Sequence, residues 1–312
     1  MLTSLLISAM LAAGQDAAPP APQQTPAPAV AAQSAPQPEA QLEDIIVEGL
    51  RLQEASKAFV ESVGAAPRGT SLATWTRTVC VGVTGLPTNH AQYLIDRVSA
   101  LALELGLEVG EPGCKPNVIV LAAEDGRATA EALVQRSSMG FRPTAGGSSL
   151  GRDALRDFRS EEAPLRWWHV ALPFSVDTGE LATSLRSEDP ISVASRGGSR
   201  LAAPIRHDLA WVVVVIDLKK AQGKRFPALV DEIAFVSMAQ VNPDPEEVEG
   251  KNTILNLFHP DASVEALTEW DMDYLKALYA ARPDRPNPGM QEREIARGLA
   301  SQRRTAQDAP VQ

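Results

Sequence analysis

Residues 211–241 read WVVVVIDLKKAQGKRFPALVDEIAFVSMAQV and carry the clearest structural signal in the chain. The first part, from Trp211 to Asp217, is a nearly continuous β-branched run, which is typical of a strand buried on both faces. After a short polar turn, Phe226 to Val241 predicts a helix with apolar residues on almost every side. Pro227 lies in its first turn, where a missing N–H breaks no helical bond. Because a helix that is apolar all round is normally buried, the stretch predicts a central strand followed by a central helix.

The composition is that of an ordinary globular protein with an acidic surface. Of the 312 residues, 44% are hydrophobic and 22% are charged, and the net charge is -10. Nucleic-acid binding needs a basic face, but the Lys and Arg residues are scattered along the chain. The composition therefore argues against a nucleic-acid partner, and the acidity indicates a well-solvated surface.

The N-terminal residues predict export. Residues 1–14 form an apolar run too short to span a bilayer, and Ala12 and Gly14 supply the small residues of a signal-peptide cleavage site. The run lacks the usual Lys or Arg before its apolar core, so an apolar N-terminus without a targeting role is the alternative. Residues 15–41, rich in Ala, Pro and Gln, predict a disordered linker. No later segment predicts a transmembrane helix, and we expect a periplasmic or secreted protein.

Two cysteines, Cys80 and Cys114, lie beside predicted strands. In an oxidising compartment two such residues form a disulfide. The alternative is a pair of buried free thiols, which are common in protein cores. Together with the predicted signal peptide, the pattern favours a Cys80–Cys114 disulfide.

The rest of the chain alternates between strand and helix patterns, which is typical of an α/β or α+β fold with a mixed sheet and packed helices. We expect an N-terminal helix region over 42–72, a single α/β domain over 73–304 and a frayed tail over 305–312. An amphipathic helix is predicted from Leu50 to Val63, with Leu52, Ala55, Phe59 and Val63 on one face. The other predicted helices cover Asn89–Leu105, Ala128–Arg136, a segment that opens at Thr268, and 291–304. The other predicted strands cover Val79–Val83, Val118–Leu121, Leu165–Val170 and Ile191–Ala194, the last two as a hairpin arm.

Two local patterns complete the prediction of elements. Thr268 and Asp271 have the spacing of a capping box, in which Asp replaces the usual Glu. The polar stretch between Arg136 and Leu165 predicts irregular structure.

One literal nucleophile motif is present, Gly-x-Ser-x-Gly at 147–151 with Ser149 at its centre. In α/β-hydrolases this serine lies on a sharp turn between a strand and a helix. The residues before Gly147 do not predict a buried strand, so a flexible Gly/Ser loop is favoured over a serine hydrolase.

No cofactor or metal site is predicted from spacing. The four histidines are far apart in sequence and form no H-x-H or H-E-x-x-H motif. No G-x-G-x-x-G follows the first predicted strand, which argues against a dinucleotide site. His169 is interpreted as a hydrogen-bonded core or interface residue. Trp167, Trp168 and Trp211 are interpreted as core, with a hydrophobic groove as the alternative.

Asp231 and Glu232 are the acidic residues of the predicted central helix. Adjacent helical residues point about a hundred degrees apart, so the two cannot act as a carboxylate pair. Glu232 could have a raised pKa and act as a base if a cleft reaches it. The alternative is a structural carboxylate.

The order of elements over residues 78–280 resembles that of metzincin-type zinc peptidases. The final helix, Leu267 to Tyr279, is similar to the Leu-(Ser/Thr)-x-x-Asp pattern of those enzymes. The resemblance implies that the central helix would carry H-E-x-x-H and a third histidine, which hold zinc while the glutamate acts as base. With Glu232 as that glutamate, the ligand positions fall on Asp231, Phe235 and Val241. Phe and Val cannot bind zinc, so the resemblance implies a frame without its metal.

The chain also resembles an exported bacterial family without an assigned activity. The similar segments are Ile45 to Gly49, the residues around Cys80, Gly113 to Asn117, and Thr253 to Leu278. We therefore expect no catalytic residues. We expect an envelope protein on a degenerate zinc-peptidase-like scaffold that binds a peptide, protein or wall component along a sheet edge or the former cleft. The alternative is a hydrolase, either through Ser149 or through metal ligands that spacing does not reveal.

Overall fold

The structure is a computed structural model that describes residues 42–141, 148–182 and 201–308. Several sequence predictions fall outside these ranges: the signal peptide, the linker, the strand Ile191–Ala194 and the last four residues of the tail. The described residues from Glu43 onward belong to one compact unit.

The predicted combination of a mixed sheet with packed helices, in an α/β or α+β fold, is confirmed. The described strands are β1 Val81–Thr84, β2 Val118–Ala123, β3 Leu165–Ser175 and β4 Ile205–Asp217. The first described helices are α1 Leu42–Val63, α2 Thr88–Glu104, α3 Gly126–Arg136, α4 Ser138–Phe141 and α5 Arg152–Ser160. They are followed by α6 Phe226–Met238, α7 Pro245–Val248, α8 Glu269–Ala280 and α9 Pro288–Asp308, with a 3-10 turn at Ile254–Asn256 before α8.

The four described strands form one mixed sheet in the order β1-β2-β4-β3. β1, β2 and β4 are parallel, whereas β3 runs antiparallel to β4. The β-branched run of β4 pairs on both sides, with Val212 opposite Val118 of β2 and Val214 opposite Trp167 of β3. β4 is therefore a central strand, as its sequence predicts.

The core lies mainly on the face of the sheet that α2 and α6 cover. Every residue of α6 from Ala228 to Met238 is buried, and α2 adds Leu94, Val98 and Leu101, all fully buried. A second, smaller cluster on the opposite face includes Phe158 of α5 and Trp168 of β3. α6 is therefore enclosed by protein, which the all-round apolar pattern predicted.

Most predicted elements are found, with shifted ends and two corrections. The region between Arg136 and Leu165, predicted as irregular, contains α4 and α5. α5 is amphipathic, but only Leu155 and Phe158 face the core, too few residues to show a period in the sequence. In α1, Ser56 rather than the predicted Ala55 faces the core, together with Phe59 and Val63.

The capping box at the start of α8 is confirmed. Thr268 Oγ1 accepts a hydrogen bond from the Asp271 N–H at 3.1 Å, and Asp271 Oδ2 accepts one from the Thr268 N–H at 2.9 Å. A shorter Asp side chain thus performs the role that Glu usually has. The box fixes the direction in which α8 leaves the preceding loop.

Cys80 and Cys114 form a disulfide. It ties the residue before β1 to the loop before β2, beside the bridge between Val79 and Val109. A side chain at Gly110 would meet Cys114 Sγ at 2.6 Å, so this position requires glycine. None of the described helices is long and apolar enough to cross a membrane.

We predict that this disulfide stabilises the folded protein. A bond that closes a loop of 34 residues should contribute roughly 3 to 4 kcal/mol by restricting the unfolded chain. The double variant Cys80→Ala/Cys114→Ala should lose that amount in urea unfolding. Peptide mass mapping without reductant should find Cys80 joined to Cys114, and two free thiols in exported protein would contradict the prediction.

Candidate functional site around helix α6

The last carbonyl groups of α6 each receive a hydrogen bond from an aromatic side chain elsewhere in the chain. His169 Nε2 lies 2.7 Å from the Val236 oxygen, and Trp75 Nε1 donates to the Ser237 oxygen at 2.8 Å. The Tyr279 hydroxyl donates to the Met238 oxygen at 2.8 Å. Terminal carbonyls have no partner within their own helix, so these three donors satisfy an end that is buried.

His169 is neutral in this arrangement. Burial lowers its pKa to about 4, although the bond to the Val236 carbonyl acts in the opposite direction. A carbonyl oxygen can only accept, so Nε2 carries the proton. The prediction of His169 as a hydrogen-bonded core residue is confirmed.

The segment after α6 is held in the same way. Trp167 Nε1 donates to the Val241 oxygen at 3.2 Å, and the Gln240 side chain accepts from the Ala73 N–H at 2.8 Å. Trp167 and Trp168 are buried, as predicted. Trp211 is half-buried against the second cluster, and its Nε1 donates to the Gly140 oxygen at 3.0 Å. The interpretation as core residues is therefore confirmed for Trp167 and Trp168, whereas Trp211 is only partly buried.

Asp231 joins three parts of the structure. Its Oδ1 lies 2.6 Å from Arg97 Nε on α2, and its Oδ2 accepts from the Leu267 N–H at 2.9 Å. Both carboxylate oxygens are therefore engaged in holding α6 against α2 and the loop before α8. Asp231 therefore has a structural role, whereas the sequence analysis considered such a role only for Glu232.

Glu232 faces the core. The residue is 2% exposed, none of the described residues makes a hydrogen bond to its carboxyl group, and Oε2 is shielded from solvent. Burial raises its pKa well above the ordinary value, the negative Asp271 adds to this, and Lys224 opposes it. The described residues therefore enclose Glu232, and no cleft among them opens it to a substrate.

Asp271 of α8 is the acidic residue whose charge adds to the raised pKa of Glu232. Its Oδ2 accepts from the N–H groups of Ile254 and Thr268 at 2.8 and 2.9 Å. Burial raises its pKa to about 6 despite these donors. Asp271 thus ties the 3-10 turn to the start of α8.

The remaining positions of the zinc-peptidase register are apolar and closed. Phe235 and Val241 are fully buried, and the Phe235 ring lies 6.1 Å from that of Tyr274. Across the described ranges, no group of three or more His, Cys, Asp or Glu side chains is placed to hold a metal ion. On α6 itself, the side chains that could ligate a metal ion are Asp231, whose two oxygens are already bound, and Glu232.

Ser149 does not lie in the setting of a hydrolase nucleophile. Its neighbour Ser148 makes a single antiparallel bridge with Ala171 of β3, and α5 begins three residues after Ser149. Within the described residues, no histidine makes a hydrogen bond to Ser149. His169 is bound to α6, and His259 lies 3.6 Å from Glu249.

Two surface features remain as possible binding sites. The first is the free edge of β1. The Val118 N–H bonds to the Cys80 carbonyl, so by the alternation of a parallel ladder Val81 and Val83 direct their N–H and C=O groups away from β2. No described residue outside the sheet bonds to those groups.

The second feature is a shallow groove of about 480 Å³ beside α3. It is lined by Ala123, Glu124, Asp125, Ala128, Thr129, Ala132, Leu133 and Arg136. Small-molecule sites combine an apolar lining with a few convergent buried polar groups. The polar groups here are exposed or engaged: Asp125 caps α3, and Glu124 pairs with Lys219. The groove therefore has the character of a surface depression.

Searches against protein-family models, curated proteins and solved structures return no match to this chain. The residues around α6 that sequence reasoning missed are Trp75, Arg97 and Tyr279. Each is a long-range partner, and Trp75 is 162 residues from Ser237. Their spacing along the chain offered no signal.

We predict opposite outcomes for two tyrosines that differ in whether the hydroxyl has a partner. Tyr279→Phe removes the donor to the Met238 carbonyl and should cost about 1–3 kcal/mol. The Tyr274 hydroxyl is buried and has no hydrogen-bond partner, so Tyr274→Phe should be neutral or stabilising. Urea unfolding of both variants tests this.

Tyr93 supplies the matched control because it is exposed, and Tyr93→Phe should leave stability unchanged. A Tyr279→Phe variant as stable as the wild type would refute the claim that these donors hold α6.

Proposed function

We propose that the chain is an exported, non-catalytic binding protein in which α6 holds the fold and an extended segment of an envelope protein or peptide adds to the edge of β1. The claim that the protein is non-catalytic and that α6 holds the fold rests on the surroundings of the two carboxyl groups of α6. Asp231 is neutralised by Arg97 and bound by the Leu267 N–H, and Glu232 is enclosed in the core. A general base must reach the proton it removes, and a catalytic zinc needs three protein ligands.

The claim that an extended segment joins the sheet rests on the free edge of β1. An unpaired strand edge is a ready template for another extended chain, which gains main-chain hydrogen bonds by joining the sheet. The outer edge of β3 is partly taken, because Ala171 bonds with Ser148 and the Pro173 carbonyl accepts from Ala182. On the β1 side, the segment around Val109 pairs with Val79, two residues before the strand. Among the described residues, the outward groups of Val81 and Val83 remain unpaired and offer a site for such an addition.

Export is supported by two observations. Residues 1–14 have the apolar run and small residues of a signal peptide, and Cys80 is joined to Cys114. Disulfides persist in oxidising compartments. The same conditions suit a periplasmic or secreted partner.

We predict that protein purified without chelators carries far less than one zinc per chain and is not labelled by a fluorophosphonate probe. Elemental analysis and mass spectrometry measure the two quantities. Stoichiometric zinc that is lost in Asp231→Ala would contradict the proposal. Fluorophosphonate labelling that is lost in Ser149→Ala but kept in Ser148→Ala would contradict the proposal and support a serine hydrolase.

The edge is tested by site-specific photo-cross-linking in cells. A photoreactive residue at Thr84, at the exposed end of β1, should capture an extended segment of a partner. Val83→Pro removes an outward N–H and should abolish the capture. The control position is Thr129 in the α3 groove, and adducts at Thr129 without adducts at Thr84 would contradict binding at the edge.

A further inference from the structure

The outer edge of the sheet is covered by the chain itself just before β1 begins. The Val79 N–H donates to the Glu108 carbonyl at 2.8 Å, and the Gly110 N–H donates to the Val79 carbonyl at 2.9 Å. These bonds form a parallel bridge between Val79 and Val109. Residues 107–110, which we call the stop segment, therefore lie where a neighbouring strand would lie.

We propose that the stop segment makes the β1 edge a site for the end of a partner chain, N-terminal or C-terminal, rather than for an internal stretch. The inference rests on the proposed binding at the β1 edge and adds which part of the partner binds. The stop segment also shows what covers this edge, because it is an extended backbone that pairs with outward N–H and C=O groups.

The stop segment ends where the open edge begins. In a parallel ladder the next bonds would join Val81 to the Gly110 carbonyl and to the N–H of residue 112. Residue 112 is proline, which has no N–H. Gly113 follows with a φ of 90°, a left-handed conformation that turns the chain away. The outward groups of Val81 and Val83 are therefore left to a partner.

One face of β1 is covered where the stop segment ends. After its turn the chain returns to β2 across this face: Cys114 is joined to Cys80, and a Cβ on Gly82 would meet the Pro116 ring at 2.6 Å. Asn117 fixes the crossing, since its Oδ1 accepts from the Cys80 N–H at 2.8 Å. The crossing blocks the path by which a partner strand would leave the edge on this side.

The opposite face is covered by the core. Val81 and Val83 pack against the main hydrophobic cluster, and so do Leu107 and Val109 of the stop segment. A partner strand that reaches Val81 therefore meets the stop segment ahead of it and protein on both faces. An internal stretch would have to bend sharply away from the sheet at this point, whereas a chain end can stop there.

The open edge is also short. Val81 and Val83 offer two N–H and two C=O groups, which a parallel strand of about five residues or an antiparallel strand of about three would satisfy. Beyond Thr84 the chain turns at Gly85, whose φ is 84°. A site of this length matches a short terminal segment.

The first test uses the photoreactive residue at Thr84 in cells and identifies the captured peptide by mass spectrometry. A peptide that contains the N-terminus of a partner supports the inference with a parallel strand, and one that contains the C-terminus supports it with an antiparallel strand. Captured peptides that contain neither end overturn the inference and leave binding at the edge intact. If no adduct forms that Val83→Pro abolishes, binding at the edge and the inference are both overturned.

The second test uses synthetic peptides that copy the captured segment. An extension of Gly and Ser residues beyond the end that meets the stop segment should weaken binding about tenfold or more, because the hydrogen bonds at Val81 are lost. The same extension at the other end is the matched control and should leave the affinity unchanged. Equal affinities of the two extended peptides, measured by calorimetry, would overturn the inference.

Discussion

The buried C-terminal end of α6 is the constraint on which the rest of the structure depends. A helix inside a protein must find partners for its last carbonyls without water. Here the partners are His169 of β3, Trp75 of the segment after α1, and Tyr279 of α8. Three elements that are distant in sequence are thus fixed to one point, and the strand, the N-terminal segment and the C-terminal helix cannot move independently of α6.

The same requirement explains why Glu232 is unusual. Asp231, Ser237 and Gln240, the other polar side chains at or beside α6, all have hydrogen-bond partners, as buried polar groups normally do. Glu232 has none among the described residues, and the charge of Asp271 acts on it unfavourably. The consequence is a raised pKa for Glu232, because desolvation penalises the charged form.

The sequence predicted those elements whose signal lies in residues close together in the chain. The β-branched run of β4, the all-round apolar pattern of α6, and the Thr268 and Asp271 capping box each depend on residues close together in the chain. α5 was missed because two buried residues do not define a period. The donors to α6 and the effect of Asp271 on Glu232 were missed because interactions across the fold leave no spacing in a single sequence. For the same reason, the sequence alone left open whether Glu232 faces a cleft or the core.

Three long-range donors bind the end of α6, and its residues from Ala228 to Met238 are buried, so α6 should be among the last elements to open. Native-state hydrogen exchange measures this directly, because each amide reports the free energy of the opening that exposes it. We expect the slowest amides of α6 to exchange only through global unfolding, with the same free energy as those of β4. Exchange of α6 through a local opening at a much lower free energy than β4 would contradict it.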